Sequence, residues 1–160
     1  MTHEIEISRE RVGLGHPESA ALIKKAVCRA LDAEGVAVPC LVSVMLTDDE
    51  GIRRVNREFR GIDSATDVLS FPLNELTAGA FAPEECERDP DTGAVMLGDM
   101  MISVERCAAQ GEEFGHGYGR EIQYLTVHSV LHLLGYDHLD EGPTKRQMRA
   151  REKTIMGDMD

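Results

Sequence analysis

Glu4-Ile-Glu-Ile-Ser alternates polar and apolar residues, the pattern of a half-buried strand. From Pro17 to about Ala33 the spacing predicts a helix, with Ala21, Val27, Ala30 and Leu31 among its inward candidates, and Gly35 then breaks it. Leu41-Val-Ser-Val-Met-Leu46 predicts a second strand, rich in β-favouring residues. Asp48 or Asp49 is placed to cap a helix that runs to about Phe59. Ile52, Val55 and Phe59 fall on one side of it, the arginines fall on others, and Gly61 lies just beyond. Asp67-Val-Leu-Ser-Phe71 predicts a third strand, stopped by Pro72. Residues 73–95 are acidic, rich in Pro and Gly and without a clear period, which predicts a long loop or a mobile flap. Leu97-Gly-Asp-Met-Met-Ile102 predicts a fourth strand, and a helix follows from about Val104 to Glu113. Gly115, Gly117 and Gly119 then interrupt the chain before a helix from about Arg120 to Leu134. A last helix spans about Glu141 to Met156, with Met148 and Ile155 as core contacts.

Strands lie between helices early in the chain, and helices dominate its end. That order predicts an α+β fold: a small mixed sheet of about four strands covered by about five helices. A length of 160 residues fits one domain over residues 1–160, able to bury about 68–70% of its unfolded surface. No stretch reaches the roughly 18 apolar residues of a membrane span, and the start of the chain carries no basic-then-apolar leader. A cytoplasmic protein with no membrane partner is the expectation. The cysteines, Cys28, Cys40, Cys86 and Cys107, are scattered and form no C-x-x-C pair, so reduced thiols are expected, with Cys28 in the core. The net charge of −12 disfavours a broad nucleic-acid surface. One local exception is offered by Arg53, Arg57 and Arg60 at helical spacing with Arg54 beside them, which read equally as a basic cleft or as a solvated helix face.

Chemistry enters at His128-Ser-Val-Leu-His132-Leu-Leu-Gly135-Tyr-Asp-His138. His128 and His132 are four residues apart in a helix-favouring run, on one face and one turn apart, where a single metal ion can bridge them. Gly135 follows where a helix can end in a left-handed cap, and the returning chain can bring His138 to the same point. Three imidazoles leave the fourth position of a tetrahedral zinc open, as catalytic sites do. The spacing is that of the zinc proteases with H-E-x-x-H-x-x-G-x-x-H, but Ser129 stands where those enzymes carry their glutamate base. A metal-activated water attacking something other than a peptide bond, or a base from elsewhere in the chain, is therefore expected. His3, His16 and His116 take the ordinary reading of structural histidines. Asp137 is a candidate to orient a ligand histidine, or simply a turn former.

These residues carry a family resemblance. The segment from His128 to His138 resembles the signature of the YbeY family, bacterial rRNA maturation factors described as zinc-dependent endoribonucleases. Asn56-Arg-Glu-Phe-Arg60-Gly, followed by Thr66-Asp-Val-Leu-Ser-Phe-Pro72, is similar to its second signature, and Leu97-Gly-Asp-Met-Met-Ile-Ser103 to its third. The likeness covers most of residues 41–155. It implies His128, His132 and His138 as ligands of one zinc ion and Arg60 as the residue that matters for cleavage. It further implies single-stranded RNA as substrate, no DNA, the small ribosomal subunit as partner, and a role in rRNA 3′-end processing and ribosome quality control. Ser129 replaces the glycine of many members, and the acidic stretch from Glu84 to Asp91 is longer than in compact ones.

Zinc lowers the pKa of bound water from 15.7 to about 7. Hydroxide or a 2′-oxygen would then attack a phosphodiester, with the Arg60 guanidinium stabilising charge on the phosphoryl oxygens. The ordinary reading of Arg60 is a helix-end arginine facing the helix dipole. Two other functions fit the same pattern: a small zinc peptidase with a base such as Glu141, or a non-catalytic ribosome-associated module whose metal is structural.

Overall fold

A computed structural model describes residues 2–137 and 142–157. Within them the order is β1 (Glu4–Arg9), α1 (Ser19–Ala33), β2 (Cys40–Thr47), α2 (Asp49–Arg60), β3 (Val68–Pro72), β4 (Val95–Ser103), α3 (Val104–Glu113), α4 (Gly117–Leu133) and α5 (Pro143–Gly157). One turn of 3-10 helix spans Pro83–Glu85. The strands form one mixed sheet in the order β1-β2-β4-β3. β1, β2 and β4 run parallel, and β3 lies antiparallel on the far edge, with Leu69 opposite Met101. The fold is thus the α+β arrangement that the alternating patterns predict.

Parallel strands need a crossover, and α1 supplies the one between β1 and β2. Its buried stripe is Ile23, Ala26, Val27, Ala30 and Leu31, the i, i+3, i+4 spacing of one helix face. The core forms where this stripe and α4 meet Val42, Val44 and Leu46 of β2 and Leu97, Met100 and Ile102 of β4. Each fully buried Val, Leu, Ile or Met side chain among them contributes roughly 1.5–3 kcal/mol. Helix α4 is enclosed on most sides: Ile122, Leu125, Val127, Val130, Leu131 and Leu133 are buried, and so are the polar Glu121, Thr126 and Ser129. It packs on α1, α3, α5 and edge strand β3. Met148 and Ile155 of α5 join the core, as their spacing predicts.

Caps set the helix starts. Asp48, in extended backbone, accepts a 2.8 Å hydrogen bond from the Gly51 amide, and Ser103 accepts one from Arg106. Several expectations need correcting. Ala21 and Cys28 are exposed on α1, because they fall off the stripe that starts at Ile23. Phe59 shares the face of Ile52 but is 71% exposed; two turns further on, the helix offers it only an edge-on contact with Phe71 of β3. Pro72 does end β3, and as its last residue it is tolerated in the ladder because β3 is an edge strand paired on one side. Helix α4 begins at Gly117, so Gly119 lies inside it. Residues 73–94 form a loop tied to β4, which starts at Val95: Asn74 donates to the Met96 carbonyl and accepts from the Glu87 amide, and Arg88 bridges to Val95. No helix among the described residues is long and apolar enough to cross a membrane.

Candidate metal centre and cleft

Two of the three histidines singled out by spacing meet in the folded chain. His128 and His132 project from the last turns of α4, and their Nε2 atoms lie 3.2 Å apart. Each Nδ1 is engaged elsewhere. His128 Nδ1 is 2.5 Å from Glu152 Oε2, and His132 Nδ1 is 3.0 Å from the Tyr136 carbonyl oxygen. A carboxylate and a carbonyl only accept hydrogen bonds, so both imidazoles carry their proton on Nδ1 and present the Nε2 lone pair to the same point. Two nitrogens bound 2.0–2.1 Å from a tetrahedral zinc would lie about 3.3–3.4 Å apart. The pair fits that requirement in both tautomer and separation. His138 lies outside the described residues, and among the described residues no group of three His, Cys, Asp or Glu side chains is arranged to hold a metal. Asp137, immediately before it, lines the same cleft as His128 and His132.

The turn after α4 is held from several directions. Gly135 has φ +102°, and a Cβ there would sit 2.3 Å from the Leu76 carbonyl oxygen, so the residue needs both the left-handed backbone and the absence of a side chain. Tyr136 is buried, and its hydroxyl donates to Glu34 at the end of α1, which also accepts from Arg151 of α5. The carbonyl that orients His132 therefore sits on a residue fixed by two other helices.

Glu152 was not apparent from sequence. It arrives from α5, is only 6% exposed, and takes one hydrogen bond from His128 and one of 3.0 Å from the Tyr124 hydroxyl. Burial opposes its ionisation, but the hydrogen bond and charge of His128, with help from Tyr124, outweigh it and hold the carboxyl below its ordinary range. The same surroundings push the Tyr124 phenol upward. The sequence signal was Tyr124, one turn before His128 on the same face of α4. Asp137 reads from sequence as an orienting carboxylate or a turn former; the structure gives His128 to Glu152 and places Asp137 on the cleft wall.

Ser129 is tied to the neighbouring strand β3. It is fully buried, and its hydroxyl lies 2.7 Å from that of Ser70, joining α4 to β3. The position that carries the base in the proteases is therefore a packing position here. Glu141, the other candidate base, lies outside the described residues.

Arg60 ends α2 and lines one cleft of about 710 Å³ together with His128, His132, Asp67 and Asp137. Its Nη1 reaches Asn56 Oδ1 at 3.4 Å, and no ion pair engages it among the described residues. The other arginines of α2 are committed: Arg53 and Arg57 to Asp63, Arg54 to Glu10. Of the two readings of this stripe, the solvated face holds for Arg53, Arg54 and Arg57, and the cleft for Arg60. The remaining histidines are structural. His3 accepts from the Cys40 amide, His16 lies against the Tyr118 ring, and His116 pairs with buried Glu121.

The chain resembles known proteins along nearly its whole length. The family model described as endoribonuclease YbeY matches residues 4–160. Relatives called endoribonuclease YbeY include one from Clostridium acetobutylicum, 46% identical over 86% of this chain and 86% of its own. Another, from Clostridium kluyveri, is 47% identical over 79% and 80%. The solution structure of TM1509 from Thermotoga maritima superposes with a TM-score of 0.56 at 22% identity, covering 97% of this chain and 91% of that one, and supports the fold. On the family match and on relatives this close, the chain belongs to the endoribonuclease YbeY family.

Proposed function

We propose that this protein is a single-strand-specific, zinc-dependent endoribonuclease that acts in maturation of the small-subunit rRNA 3′ end and in ribosome quality control, in the cytoplasm. The observation that carries the reading is the convergence of the His128 and His132 Nε2 atoms at 3.2 Å, with both Nδ1 atoms anchored, on the wall of the cleft that also holds Arg60. His128, His132 and His138 would hold the ion. When bound, it supplies a Lewis acid that makes water available as a nucleophile at neutral pH.

The chain's own residues do the rest. Glu152 and the Tyr136 carbonyl fix the imidazole tautomers, and partners of this kind commonly govern metal affinity. Among the described residues, Arg60 is the permanent cation lining the cleft. Its forked guanidinium can hold two non-bridging oxygens of a phosphodiester and bear the charge that builds on them in the transition state. The peptidase alternative loses support from Ser129, which faces β3.

The test uses an RNA fragment carrying the 3′ end of precursor small-subunit rRNA. The wild-type protein cleaves it, and Arg60→Lys retains its zinc but cleaves at least roughly tenfold more slowly, since an ammonium cannot reproduce the paired hydrogen bonds. Unimpaired cleavage by Arg60→Lys would remove Arg60 from the mechanism. A wild-type protein with full zinc and no cleavage would favour the ribosome-bound module with a structural metal.

A further inference from the structure

Beside the cleft lies a second concave surface, between α4 and α5, which differs from the acidic exterior. Its inner part, about 240 Å³, is lined by His128, Tyr124, Glu152, Lys145 and Arg149. Its outer part, about 440 Å³, is lined by Tyr124, Glu152 and Arg149 again, with Arg120, Lys153 and His116. The two parts share three residues and so form one groove leading away from His128. Lys145, Arg149 and Lys153 are spaced i, i+4, i+8, placing them in a row along one face of α5 over about 12 Å of helix. Arg120 faces them from α4. Arg149 and Lys153 are exposed, and no ion pair engages either among the described residues. The acid of the groove, Glu152, is buried and bound to His128 and Tyr124. In a protein of net charge −12, a row of cations running out from the histidine pair is the surface on which a polyanion would settle.

We infer that the α4–α5 groove is the track for the phosphodiester backbone of single-stranded RNA as it passes beyond the cleavage point, with Arg149 and Lys153 as phosphate contacts. This rests on the endoribonuclease reading above. Charge complementarity calls for a polyanion, and continuity with His128 on the cleft wall favours RNA over an acidic protein segment. Strand length should then matter: a dodecanucleotide covers the row out to Lys153, whereas a trinucleotide held at the histidines covers only its inner end at Arg149.

The experiment measures binding rather than turnover. Fluorescent 2′-O-methyl trinucleotides and dodecanucleotides are titrated by anisotropy against the zinc-loaded full-length protein, its Arg149→Gln/Lys153→Gln form, and a Lys24→Gln/Lys25→Gln control of equal net charge. The expected result is confined to the groove variant and is largest for the dodecanucleotide. Affinity falls roughly tenfold at about 0.15 M salt, and the slope of log affinity against log salt becomes shallower by about 1.4, the loss of two phosphate contacts on a single strand. Trinucleotide binding falls by a smaller factor. Equal behaviour of the groove variant and the control would overturn the inference, as would polyglutamate displacing the dodecanucleotide from the groove as readily as RNA does. Groove-dependent binding by a wild-type protein that cleaves no RNA would uphold the track and defeat the endoribonuclease reading; cleavage with groove-independent binding would do the reverse.

Discussion

Glu152 shows how a residue acquires a role from its partners. A glutamate on an amphipathic helix is usually a solvated one, and nothing near position 152 marks it otherwise. In the fold it is buried, and its carboxylate fixes the proton of His128 on Nδ1. Glu152→Gln preserves shape and one accepting oxygen but removes the charge. Zinc affinity, measured by competition with a chromophoric chelator, is expected to fall roughly 10- to 100-fold. Unchanged affinity would mean that Glu152 serves only packing. The histidines themselves were legible, because four-residue spacing on a helix is a local geometric fact. Glu152 was not, because its distance from His128 is closed only by the packing of α5 on α4. The two readings of the α2 arginines stayed open in the sequence for the same reason: the acidic partners, Asp63 and Glu10, are brought to Arg53, Arg57 and Arg54 by the fold.

The secondary elements were legible wherever periodicity was strong, and boundaries shifted where a cap or a partner strand decided them. Asp48 is one such cap. The Gly51 amide and then Arg11 hold its carboxyl below the ordinary aspartate range. A depressed folded value means that its stabilisation is present above the unfolded pKa, near 3.9, and is lost as pH falls through the folded value. Asp48→Ala should therefore cost about 1 kcal/mol in urea unfolding at neutral pH, with the gap from wild type narrowing as pH drops below about 4. A gap that persists undiminished in acid would show that the cap is not electrostatic. Gly135 was foreseen as a helix end, but its second constraint, the Leu76 carbonyl, belongs to the loop after β3. Gly135→Ala should destabilise by more than about 1 kcal/mol and weaken zinc binding, because the turn carries the Tyr136 carbonyl that orients His132. Wild-type stability and zinc affinity in that variant would contradict the account of the turn.

For the molecule as a whole, charge and function had to be reconciled. A net charge of −12 argues against RNA if charge is treated as uniform. The fold makes it uneven. It neutralises most of the α2 arginines, leaves Arg60 in the cleft, and lines the α4–α5 groove with cations on α5 that composition could not locate. The α+β class and the order of motifs were readable from the chain, since both are sequential properties. The groove and the orienting contacts were not, since each joins segments distant in sequence. The central claim is that RNA cleavage depends on the histidine pair of α4. The most direct measurement is cleavage of an end-labelled single-stranded RNA by purified wild-type and His132→Ala proteins, with zinc content determined on the same samples. The account predicts zinc and cleavage in the wild type, with both lost in His132→Ala. Equal cleavage by the two proteins, or a zinc-loaded wild type that leaves the RNA intact, would contradict it.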